Sequence, residues 1–122
     1  MSIPFPAQTP RLPIAGLSFA AAATVSGVSI AALASRFRGG ASTARARQLA
    51  VYLHHVALGA SVSACARHFG RDRATVRHAC AVIENLRDNP LFDRSTARLE
   101  RAVVAQRDMV MAMCAACDGV AK

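Results

Sequence analysis

Arg73, Ala74, Thr75, Arg77 and His78 lie close together in the chain, and together they have the chemistry to read base edges. Arginine can donate two parallel hydrogen bonds to guanine, and the methyls of Thr and Ala can pack on the thymine methyl. Such side chains read anything only from a rigid support that turns them outward. The residues between and after them supply one: Val76, Ala79, Cys80, Ile83 and Leu86 fall on the opposite face of a helix, as a core stripe.

What precedes that helix is equally pointed. Cys65, Ala66 and Phe69 recur at helical spacing, Gly70 follows, and Asp72 stands immediately before the second stripe begins. Glycine supplies the positive φ that a turn after a helix C-terminus needs. Aspartate accepts from the free N–H groups of a new first turn. The stretch Ser61–Leu86, SVSACARHFGRDRATVRHACAVIENL, therefore reads as a helix-turn-helix, whose second helix enters the major groove. An ordinary helical hairpin with a solvated basic face is the bland alternative. Such a face would more often mix Glu with Lys.

Charge distribution favours the DNA reading. The net charge is +8, and all but one of the 15 basic residues are arginine. Arginine pairs bidentately with phosphate and guanine, so the bias fits nucleic acid better than simple solubility. Arg36, Arg38, Arg45, Arg47, Arg67, Arg71, Arg73 and Arg77 precede His78 with Asp72 as the only acid among them, whereas acids and bases balance from Ala79 onward. One face is basic, not the whole surface.

At 122 residues the chain suits one domain, and its abundant alanine, single Tyr and absence of Trp suit closely packed short helices. Residues 1–16 are proline-rich and are expected to be disordered. Leu12 to Ser35 carries no charge, which raises a signal peptide or a membrane span. The run is mostly Ala, Ser, Gly and Thr, however, so two short helices near 17–25 and 29–35, broken at Gly27, are the better reading. The segment Arg36–Arg47 reads as a basic loop reaching phosphates or the minor groove. A third helix is expected from about Ala44 to Leu58, with Arg45, Arg47 and Gln48 at its phosphate-facing start and His54 and His55 as surface residues. After Asp88-Asn89-Pro90 a last helix is expected, with Leu91, Phe92, Ala97, Leu99, Ala102 and Val103 available for packing.

The four cysteines do not form a disulfide framework: Cys65 and Cys80 fall on core stripes, and the pattern suits a reducing cytoplasm. Cys114 and Cys117 form a CAAC pair, but a structural zinc site needs four ligands, so no metal and no cofactor are expected. Paired acids, a nucleophile with a base, and a phosphate loop are all missing, so an enzyme is not expected.

The motifs ARQLAVYL (46–53) and FGRDRATVRHA (69–79) resemble the C-terminal helix-turn-helix domain, domain IV, of the bacterial replication initiator DnaA, which reads typically as PRQIAMYL and FGGRDHTTVLHA. The likeness spans roughly residues 20–103. It implies an all-α, compact bundle of about five to six helices with double-stranded DNA as partner. By position it implies base contacts from Asp72, Arg73, Ala74 and Thr75, a minor-groove contact from Arg38, and backbone contacts from the Arg47–Gln48 pair. To these the residue chemistry adds Arg77 and His78 toward bases, and Arg36, Arg45 and Arg71 toward the backbone or minor groove. The family's histidine is Arg73 here, its first threonine Ala74 and a leucine Arg77, which points away from the usual DnaA box. The ATPase part of DnaA has no counterpart in the sequence. Similar domains form part of transcriptional activators of gene transfer agents, and this chain resembles those.

The expected organisation is a disordered segment 1–16, a DNA-binding domain 17–108 and an apolar Met/Cys-rich extension 109–122. Residues 109–117 are the candidate surface for a second transcription factor or a polymerase component, since methionine faces adapt to partners. The expected function is sequence-specific transcriptional regulation at the nucleoid in the cytoplasm, with no membrane. A replication regulator competing for DnaA boxes, or a helical protein-interaction module, are the other readings.

Overall fold

The structure, a computed structural model, describes residues 16–34 and 40–121, with side chains through 117. The proline-rich segment 1–15 and residues 35–39, which include Arg36 and Arg38, lie outside the described residues. Among the described residues there are six α-helices and no strand: α1 Leu17–Ser26, α2 Ile30–Ala34, α3 Ala41–Tyr52, α4 Val62–Phe69, α5 Arg73–Leu86 and α6 Pro90–Ala121. The fold is all-α, as expected.

Gly27 ends α1 with φ +74° and donates its N–H to the Ala23 carbonyl, which a residue with a Cβ would do under strain. Ser29 Oγ then accepts from Ala32 N at 3.1 Å and starts α2. α3 is the central element, packed against α1, α2 and α5. Its small residues Ala46 and Ala50 let the first two helices approach closely, and with Ala22 and Leu33 they form one core cluster. A second cluster, Val51, Cys65, Val76 and Ala79, ties α3 to the helix-turn-helix. The third, Ala21, Leu53 and Val103, docks α6.

α3 begins three residues before its expected start, because Gly40 takes an extended conformation as its N-cap. Arg45 and Arg47, where the expected basic loop 36–47 and the expected helix 44–58 overlap, consequently sit in the second turn of the helix rather than its first. At its other end α3 opens into a π-turn, Leu53–Ala57, with Leu58 N donating to Leu53 O at 3.0 Å. His54 is not a surface residue but only 8% exposed. It follows the buried Ala46 and Ala50 at four-residue steps, which places it on their face. Its ring stacks on His68 at 4.5 Å between centroids, and its Nδ1 shares a 3.1 Å hydrogen bond with Ser18 Oγ of α1.

α6 docks through Thr96, Leu99 and Val103, whereas Leu91 and Ala102 are exposed. The inward row runs Phe92, Thr96, Leu99, Val103, and Leu91 and Ala102 each fall one residue out of its phase. Arg87, just past α5, anchors the helix: its guanidinium donates to Asp93 Oδ1 at 2.6 Å, to Glu100 Oε1 at 2.7 Å and to Tyr52 Oη at 3.0 Å. The Asp93 carboxylate above all, and then Glu100 and Tyr52, raise the Arg87 pKa against its partial burial. The cluster joins α3, α5 and α6 at one point. No described helix is long and apolar enough to cross a membrane.

Candidate nucleic-acid interface

Local chemistry builds the helix-turn-helix. Ser61 Oγ accepts from Ala64 N at 3.0 Å and caps α4. Gly70 closes that helix at φ +63°, and Arg71 N donates to Ala66 O at 2.9 Å, so the chain reverses within three residues. Asp72 Oδ1 then accepts from Thr75 N at 2.7 Å, and this bond holds its carboxyl below the usual carboxylate range. The cap costs Asp72 one carboxylate oxygen, which is spent on orienting α5.

Val76, Ala79 and Ile83 lock one face of α5 into the core. Arg73, Ala74, Thr75, Arg77, His78 and Ala81 are all exposed on the other side. The structure thus brings Asp72, Arg73, Ala74, Thr75, Arg77 and His78 together on the first two turns of one helix. Arg67, exposed on the last turn of α4, stands just ahead of the turn and adds a cation to which the spacing of the motif alone gives no role.

The backbone candidates divide. Arg45 is exposed and its Nε donates to Gln48 Oε1 at 3.2 Å, a pair one turn apart on α3. Arg47 is half-buried and turns the other way: its Nε donates to the Leu33 carbonyl and its Nη2 to the Ala32 carbonyl, both at 3.0 Å. Burial first, and the charge of nearby Arg71 second, lower its pKa. Arg47 therefore caps the C-terminal carbonyls of α2. Arg71 is half-buried beside it. Nothing in residues 45–48 announces this inward turn, because the partner carbonyls lie 14 and 15 residues upstream.

Cys65 is buried and its thiol is pushed up to about 11 by that burial, with Cys80 raised for the same reason. Both are structural and poorly nucleophilic at neutral pH. Cys114 is half-buried and Cys117 exposed, and the described residues contain no cluster of three side chains able to hold a metal.

Residues 20–83, just over half of the chain, match the family described as bacterial DnaA protein helix-turn-helix. No curated protein and no solved structure gives a match. The matched segment runs from α1 to the third turn of α5 and contains the capped turn and the outward arginine face together. The chain belongs to the bacterial DnaA helix-turn-helix family, a membership that supports duplex DNA as its partner.

Proposed function

We propose that this protein is a sequence-specific reader of double-stranded DNA that regulates transcription, and that it acts by binding, not by catalysis. The observation that carries this reading is the exposed row Arg73, Ala74, Thr75, Arg77 and His78 on a helix whose other face is locked into the core. Those side chains are assigned to base edges, with Asp72 holding the helix end that presents them. Arg45, Gln48 and Arg71, with Arg36 and Arg38, are assigned to phosphates or the minor groove, and Arg47 contributes by holding α2 in place.

Gel shifts at two salt concentrations test this reading. Wild-type protein is expected to bind duplex DNA with a steep salt dependence, and Arg45→Ala to reduce the slope by roughly one unit with unchanged melting. Arg47→Ala, in contrast, should destabilise the domain by about 1–2 kcal/mol, since charged hydrogen bonds to two carbonyls are lost. Equal stability of the two variants would return Arg47 to the phosphate-contacting set.

The likeness to activators of gene transfer agents extends the proposal to activation of such a cluster from the bacterial nucleoid. Activation needs a partner, and residues 109–117 are the surface assigned to it. Met109 and Met113 are 64% and 62% exposed, on a helical segment apolar on nearly every side. Removing residues 109–122 should leave DNA binding intact and abolish transcriptional activation in a reporter assay. Loss of folding would assign the segment to the domain itself. Family membership also favours a second reading, replication control through competition for DnaA boxes; displacement of DnaA from such a box by the wild-type protein would select it.

A further inference from the structure

The acids of α6 up to Asp108 are each paired with an arginine other than Arg94, Arg98 or Arg101. Asp93 and Glu100 reach back to Arg87, and Asp108 pairs with Arg107. Directly opposite the buried row of Thr96, Leu99 and Val103 stand Arg94, Arg98 and Arg101, all three exposed. Steps of four and three residues stack them into one ridge, about 10 Å long at the helical rise. Among the described residues, none of the three enters a hydrogen bond or an ion pair. They lie beyond residues 20–83 of the family match, and base reading by α5 makes no use of them.

We propose that Arg94, Arg98 and Arg101 form a second, sequence-independent nucleic-acid contact, which holds the phosphate backbone of duplex DNA outside the segment read by α5. A protein partner would require an apolar centre rimmed by charge. The ridge has none: Ser95, Ala97, Ala102 and Ala105 surround its arginines, Val104 beside Arg101 is half-buried, and the exposed large apolar side chains Leu91 and Met109 stand beyond its two ends. Protein–DNA interfaces are instead polar and strongly positive. Arginine throughout suits bidentate grasp of phosphate, and the nearest carboxylates, Glu100 and Asp108, are held by Arg87 and Arg107. The contact rests on DNA reading by α5, which brings the duplex to the protein first.

The test compares wild type with the triple variant Arg94→Gln, Arg98→Gln, Arg101→Gln. Glutamine keeps helix propensity at these exposed positions, so an unchanged melting curve is the control for folding. Both proteins are titrated against mixed-sequence duplexes of about 14 base pairs, little more than one reading helix covers, and of about 40 base pairs. On the long duplex the variant should bind more weakly, with a salt slope lower by roughly two to three units. If the phosphates belong to the same duplex, that difference is confined to the long probe. If they belong to a second duplex, wild type also draws two differently labelled short duplexes into one complex, and the variant does not. Equal slopes and affinities on the long duplex, with wild-type binding intact, overturn the ridge and leave the reading of α5 standing; an acidic protein as true partner would give this result. A wild-type protein that binds no duplex at all overturns both.

Discussion

Selection from random duplex DNA with the double variant Arg73→His, Ala74→Thr is expected to return a site shifted toward the DnaA box, away from the one chosen by wild type. Arg73 is the first helical residue after the Asp72 cap and is exposed, where side chains of a recognition helix reach base edges. Its guanidinium offers a fork matched to guanine O6 and N7, and a good bidentate pair discriminates by about 1–3 kcal/mol, roughly 5-fold to 150-fold in affinity. Ala74 retains a methyl for thymine and gives up a threonine hydroxyl. Wild type should therefore require guanine at the base read by Arg73. Arg73→Ala should lose that factor on the selected site while binding unrelated DNA nearly as before. Two proteins that select the same site would show that Arg73 holds a phosphate instead.

Acid should unfold this domain from its centre. His54 is enclosed by Ser18, His68 and the edge of Phe69, and α1 offers no titratable group to stabilise a charge there. Burial, and then the neighbouring His68, lower its pKa to about 4. An unfolded histidine titrates near 6.5, so the unfolded chain takes up the proton first. The stability that neutral His54 provides is complete above about pH 6.5 and drains away as pH falls toward about 4, by roughly 3 kcal/mol in all. Urea denaturation across that window should show the decline. His54→Gln keeps a hydrogen-bonding partner for Ser18 and removes the titrating group, so its stability should vary much less with pH. The same decline in both proteins would place the acid-sensitive group elsewhere.

The contrast between α5 and residues 47 and 54 separates what the sequence determines alone from what only tertiary structure decides. Ser61, Gly70 and Asp72 act on backbone groups within five residues of themselves, so the ends of α4 and α5 follow from local chemistry. The period of Val76, Ala79 and Ile83 then leaves the arginine-bearing side of α5 as its outer face. Gly27 marks the break between α1 and α2 in the same local way.

Where a long side chain goes is settled over longer distances. Arg47 belongs to a motif whose family pattern suggests DNA, yet its guanidinium meets the open carbonyls of α2, brought beside α3 by the packing of Ala46 and Ala50. His54 looks like half of a polar pair until Ser18 and His68 close over it from two other helices. On α6 the acids are mixed with the arginines in sequence, and only the fold shows that Arg87, held at the end of α5, takes up Asp93 and Glu100 and leaves Arg94, Arg98 and Arg101 without a carboxylate partner. Helix ends depend on neighbours along the chain, and sequence records those neighbours directly. Side-chain partners depend on which surfaces the folded chain brings within a few ångströms, and that is known only once the helices have packed.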